Sequence, residues 1–175
     1  MKISLTKLFA QDGKSEKYEI PLTSETFSIG GQDYRVIEKH PVILGLTHEG
    51  NRVITITGSA DLTMEIPCAR CLTPVATPFQ LEFDLQIDLN LSEEEREEKE
   101  EDSSFVEGDE LDVEELVRNE LIVQWPIRVL CKDDCKGICS NCGANLNHGE
   151  CGCDRQVLDP RMAAFSDIFS KFKEV

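Results

Sequence analysis

Eight cysteines are the residues of this 175-residue chain whose type and spacing could do chemistry. Six of them lie between Cys131 and Cys153, where Cys139 and Cys142 form a C-x-x-C pair and Cys151 and Cys153 a C-x-C pair. Zinc prefers thiolates in a tetrahedron, and two short-spaced pairs bring four sulfurs together while ordering little chain. The spacing therefore predicts a structural zinc ion held by Cys139, Cys142, Cys151 and Cys153. In Cys139-Ser140-Asn141-Cys142-Gly143 the glycine lets the backbone turn through positive φ, so that amides point at the sulfurs and offset their charge. Six cysteines are more than one zinc ion needs, and Cys131 or Cys135 could replace one of the four. His148 is a further candidate, set against the commoner state of a loop histidine, which is solvated.

Cys68-Ala69-Arg70-Cys71-Leu72 is a second C-x-x-C, placed between two strand-like segments. It could bind metal, act as a redox pair, or form a structural hairpin tip. A thioredoxin-type pair opens a helix whose dipole lowers the thiol pKa, and Pro74 and Pro78 argue against a helix here. Pairing with Cys131 and Cys135 would give a second four-cysteine site, since eight is twice four.

The elements that must position these cysteines begin with a β-rich region. From Lys2 to Asn90 apolar and polar residues alternate in runs rich in Val, Ile, Thr and Phe. Tyr34–Ile37, Arg52–Gly58 and Phe79–Leu89 are the clearest strands. Phe79, Leu81, Phe83, Leu85, Ile87 and Leu89 share one face of the last, with polar and acidic groups on the other, as in an antiparallel sheet buried on one side. Asp112 is placed to cap a helix with Glu115 completing a capping box, Leu116, Val117, Leu121 and Ile122 repeat at helical spacing, and Pro126 ends it. A last short helix is expected after Asp159-Pro160, with Met162, Phe165, Ile168, Phe169 and Phe172 as its apolar side. The expected fold is α+β: a barrel-like or sandwich-like antiparallel domain over 1–91, an acidic linker over 92–110, a helix packing on the sheet over 111–127, and a zinc-binding segment with a C-terminal helix over 128–175.

The net charge of −16 is mostly local. Residues 1–91 carry −4, residues 92–120 carry −12, and residues 121–175 are neutral. Such a block reads as a solvated linker, or as an arm that attracts a basic partner. No apolar run approaches the roughly 18 residues of a membrane span, and the N-terminus lacks the apolar region of a secretory signal, so the expectation is a soluble, cytoplasmic protein. A reducing cytosol disfavours structural disulfides, which leaves metal binding as the first reading of the cysteines. No Gly-rich phosphate loop, G-x-S-x-G or H-E-x-x-H occurs, and four thiolates would leave zinc no open position for substrate, so no enzyme is expected.

Three motifs occur in order: the strand leading into Cys68-Ala69-Arg70-Cys71-Leu72; the acidic stretch with Leu111-Asp112-Val113-Glu114-Glu115-Leu116-Val117; and the tail from Leu130-Cys131 through Asn145-Leu146-Asn147. With them the chain resembles the YceD family, bacterial proteins with plastid relatives implicated in accumulation of large-subunit ribosomal RNA. The resemblance implies a non-enzymatic role in ribosome biogenesis without supplying a mechanism. Direct RNA binding sits poorly with the charge, because phosphate contact runs on Lys and Arg. The expected partner is a basic large-subunit ribosomal protein or a precursor ribosomal particle. Glu93, Glu94, Glu95, Glu97, Glu98, Glu100, Glu101 and Asp102 would then mimic phosphate charge. Two rival readings are a zinc-dependent RNA-binding module using Arg128, Lys132, Lys136 and Arg155, and a thiol oxidoreductase acting through Cys68 and Cys71.

Overall fold

A computed structural model describes residues 1–91, 95 and 103–153 of the chain. In chain order the described elements are β1 (Lys2–Ser4), β2 (Ser15–Ile20), β3 (Thr26–Ile29), β4 (Gln32–Lys39), β5 (Val42–Gly50), β6 (Val53–Pro67), β7 (Pro74–Asp88), β8 (Val106–Glu107), β9 (Glu110–Asp112) and the helix α1 (Val113–Val123).

β6 and β7 form the spine, an antiparallel hairpin in register from Val53↔Asp88 to Pro67↔Pro74. The other edge of β6 is shared: β5 pairs with its first half and β4 with its second, and β2 and β3 extend the sheet beyond them. Period-two alternation sets which face is buried. On β6 the residues Ile54, Ile56, Leu62, Met64 and Ile66 are buried, and on β7 Phe79, Leu81, Phe83 and Ile87, while Asp61, Glu82 and Asp84 face outward. Fully burying each such side chain stabilises the fold by roughly 1.5–3 kcal/mol. Gly58 allows β5 and β6 to meet, because a Cβ there would sit 2.0 Å from the Ile43 carbonyl oxygen and its φ is +154°.

A small second sheet, in the order β1-β9-β8, shares the same apolar core through Ile3, Phe105 and Leu111. The main sheet does not close on itself among the described residues; of the barrel-like and sandwich-like arrangements expected, two sheets and a helix enclosing one core are nearer the second, and the fold is α+β. β8 and the start of β9 fall inside 92–110, the range expected to be linker. Phe105 is the reason, since a single large side chain buried there anchors short strands that show no alternation of their own. Of the acidic residues Glu93 to Asp102, Glu95 is described and exposed; the others, and the helix expected after Pro160, lie outside the described residues.

α1 starts at Asp112, whose carboxylate accepts from the Glu114 and Glu115 amides at 3.1 and 3.4 Å. The reciprocal half of the capping box does not form. Glu115 pairs instead with Arg118, and the Asp112 amide donates to the Phe105 carbonyl at 2.7 Å. The neighbouring Glu114 fastens the helix start by accepting from the Thr23 and Ser24 amides and the Thr23 hydroxyl. Val113, Leu116, Val117 and Leu121 are buried, whereas Ile122 is exposed. Beyond the helix, Trp125 stacks on Phe79 with ring centroids 5.6 Å apart and touches Tyr34. That aromatic contact returns the chain to the β6–β7 hairpin, where the Ala69 amide donates to the Val129 carbonyl at 2.9 Å.

Candidate metal centres

The loop joining β6 to β7 holds Cys68 and Cys71 in a compact knuckle. Its Cys68 amide donates to the Thr73 carbonyl at 2.8 Å, and its Leu72 amide to the Cys68 carbonyl at 3.0 Å. The Cys139–Ala144 segment repeats the frame at matching positions: the Cys139 amide donates to the Ala144 carbonyl at 2.8 Å, and the Gly143 amide to the Cys139 carbonyl at 2.8 Å. Both turns need positive φ at the residue after the second cysteine. Gly143 supplies it at +73°, whereas Leu72 adopts +61°, a region costly to a side chain with a Cβ.

Each knuckle meets a second pair of cysteines. Cys68, Cys71, Cys131 and Cys135 place their sulfurs within 4.8 Å of one another, with Cys68 and Cys135 3.8 Å apart and Cys71 and Cys131 3.5 Å apart. Cys139, Cys142, Cys151 and Cys153 form an equivalent group. Two clusters that could hold a metal ion therefore exist where the sequence argued first for one. Cys131 and Cys135, open as replacements in the C-terminal site, stand with Cys68 and Cys71 instead. His148 is exposed and belongs to neither group.

The first cluster is the better enclosed. Cys68, Cys71 and Cys135 are buried and Cys131 is exposed; in the second only Cys139 is buried. Backbone and amide groups close around the first. Arg70 donates from its guanidinium to the Cys135 carbonyl at 2.8 Å, and its own carbonyl accepts from the Ile138 amide at 3.1 Å. Gly137 passes so close that a Cβ would stand 3.0 Å from the Arg70 carbonyl oxygen, and its φ is +77°. Asn147 directs Nδ2 at the Cys135 sulfur, 3.3 Å away, while its Oδ1 accepts from the Lys136 amide. The Thr73 hydroxyl stands 3.3 Å from the Cys71 sulfur and the same distance from Asn145 Nδ2. Thr73, Asn145 and Asn147 were not singled out as site residues by the sequence reading; their signal was the Asn-x-Asn directly after the second knuckle.

The thiols resolve into unlike pairs. Burial works to raise the Cys68 thiol, but the amides of Arg70, Cys131 and Cys71 outweigh it and hold it at about 6. The Thr73 hydroxyl leads in lowering Cys71. Cys131, bonded chiefly to Cys71, is pushed up to about 12. In the second cluster the amides of Cys142 and Asn141 hold Cys139 at about 6, and the contact with Cys142 pushes Cys153 up to about 12. Amides aimed at the knuckle sulfurs favour thiolates, and crowding of like charge prevents all four sulfurs from ionising together. A cation at the centre removes that conflict. As a redox pair the knuckle is badly placed, because Cys68 exposes none of its surface to an incoming disulfide.

Fold and site together define a class: an antiparallel β protein, with one helix among the described residues, whose C-terminal segment is gathered by two four-cysteine clusters able to hold metal. Residues 56–169, which include all eight cysteines, match the family described as "Large ribosomal RNA subunit accumulation protein YceD", and the chain belongs to that family. Among curated proteins it is similar to a large ribosomal RNA subunit accumulation protein YCED homolog 1, chloroplastic, from Arabidopsis thaliana, at 38% identity over 29% of this chain and 16% of that protein. It is also similar to an uncharacterised protein of Mycobacterium tuberculosis, at 27% identity over 66% of this chain and 55% of that one. The chain thus spans less than two thirds of the length of these relatives. No solved structure matches it.

Proposed function

We propose that the protein is a non-enzymatic ribosome biogenesis factor that supports accumulation of large-subunit ribosomal RNA by binding a basic ribosomal protein or a precursor ribosomal particle. The observation that carries this reading is the family match over residues 56–169. Both clusters hold zinc in this account, as builders of the segment from 129 to 153, whose few apolar side chains make no core of their own. The donor set fits the ion. Bonds of about 2.3 Å at tetrahedral angles set thiolate sulfurs about 3.8 Å apart, and the two measured sulfur pairs lie at 3.8 and 3.5 Å. Zinc supplies charge that lets four thiolates share one small volume; the amides of the knuckles and Asn147 orient them. With four sulfurs per ion no coordination position is left for substrate or water, which supports scaffolding over catalysis.

The concentration of −12 of the charge in residues 92–120 supports a basic protein partner over bare RNA. Of the basic groups considered for RNA contact, Arg128, Lys132 and Lys136 are exposed, Lys132 stands 3.6 Å from Asp134, and Arg155 lies outside the described residues. Depletion of the protein in its host, followed by measurement of large- against small-subunit ribosomal RNA, tests the reading. The large-subunit RNA falls selectively and is restored by the wild-type gene. Restoration fails with cysteine-to-serine variants in either cluster and weakens when residues 93–102 are deleted. Unchanged ribosomal RNA on depletion, or recovery of no ribosomal protein or precursor particle with the tagged chain, would overturn it.

A further inference from the structure

β7 is a long strand, and among the described residues one of its edges is unused. Among the described residues it pairs with β6 alone, and no other backbone bond reaches residues 75–87. An open edge presents a row of amides and carbonyls that a further strand can complete. Along this edge the hairpin is of one sign: neither β6 nor β7 contains a lysine or arginine, and Asp61, Glu82 and Asp84 stand exposed on the outer face. Beside Leu85, between β7 and α1, lies a groove of about 260 Å³ lined by Leu85, Phe105, Leu116, Ile122 and Val123. Val123 and Ile122 are 78% and 45% exposed, so apolar surface remains open at its mouth. Glu120 lines the same groove; burial raises its pKa, and among the described residues no ion pair neutralises it.

We propose that the edge of β7 between Phe79 and Ile87 receives an extended basic segment of the protein's partner as an added strand, with an apolar residue of that segment filling the groove beside Leu85. This rests on the basic partner proposed above and assigns it a place. A strand laid there sets its outward residues beside Gln80, Glu82, Asp84 and Gln86, where cationic side chains are matched, and its inward residues beside Phe83 and Leu85, where apolar ones are. The chain's own segment from Glu93 to Asp102 has the wrong sign for this position.

The test uses the full chain and a labelled ten-residue peptide alternating lysine and valine, with a glutamate–valine peptide as control. Fluorescence anisotropy shows binding of the first and not the second, weakening about tenfold between about 50 and about 300 mM salt. Hydrogen exchange slows at the amides of residues 79–87. The double variant Glu82→Lys, Asp84→Lys, altered at exposed positions, and separately Val123→Asp each weaken binding about tenfold while retaining the wild-type circular dichroism. The proposal is overturned if the lysine–valine peptide does not bind, binds both variants like wild type, or protects a different strand. It is equally overturned if β7 amides are protected in the free full chain and deletion of residues 154–175 exposes them, which would make the chain's own tail the occupant. Capture of ribosomal components by wild type and by the double variant alike would leave the basic partner standing and remove it from β7.

Discussion

Leu72 and Gly143 occupy the same position in two knuckles with the same hydrogen bonds, and exchanging their residue types weighs backbone strain directly. Leu72 sits at φ +61° with 63% of its surface exposed, so its side chain contributes little burial to offset a left-handed backbone. The strain is about 1–2 kcal/mol. Leu72→Gly removes it but adds about 0.5–1 kcal/mol of unfolded-state freedom. The net gain of about 0.5–1 kcal/mol strengthens metal binding at the first cluster about two- to fivefold. Gly143→Ala is the reverse experiment and is sterically clean, since a Cβ there meets nothing within 4 Å. Its cost is the backbone strain less the same unfolded-state term, and a net of about 0.5–1 kcal/mol weakens the second cluster roughly two- to fivefold. Competition against a chromophoric chelator, read for each variant with the other cluster intact, gives both values. A Leu72→Gly variant that binds metal tenfold less tightly would refute the reasoning, because the leucine would then be stabilising the knuckle rather than straining it.

Gly58→Ala drives a methyl group into the Ile43 carbonyl oxygen at 2.0 Å and must separate β5 from β6; it lowers unfolding free energy in urea by about 3 kcal/mol or more, and a loss under 1 kcal/mol would contradict the packing. Glu114 gives a pH signature. Burial tends to raise its pKa, yet the hydrogen bonds from Thr23 and Ser24 outweigh that and hold it at about 2, below the 4.5 of a free glutamate. A folded-state pKa below the unfolded one adds stability that is present above pH 4.5 and lost as pH falls toward 2. Thermal melts of Glu114→Gln should therefore fall below wild type at pH 6 and converge with it near pH 2; a gap that is constant with pH would count against this.

How much of this was legible in the sequence follows from the range of each interaction. β7 was readable because its alternation from Phe79 to Ile87 is local, and the start of α1 because Asp112 stands beside the amides it caps. Glu115 was misassigned to the cap because Arg118, one turn on, competes for its carboxylate. Ile122 fits the helical period but points to the open groove, a matter of what packs opposite. β8 and β9 are too short to show a period, and they form because Phe105 finds the core. The second knuckle and its partners Cys151 and Cys153 lie close in sequence, so their grouping could be read from spacing. Cys68 and Cys135 are 67 residues apart, and only the return of the chain through Trp125 and Val129 brings them together. Family membership was recognisable from motif order, which is independent of distance in space.

Metal content by mass spectrometry of protein purified without chelator tests most directly whether both clusters hold zinc. Two zinc ions per wild-type chain are expected, and one in each of Cys71→Ser and Cys139→Ser. A wild-type chain carrying fewer than two ions, or a Cys71→Ser variant that retains two, would contradict this.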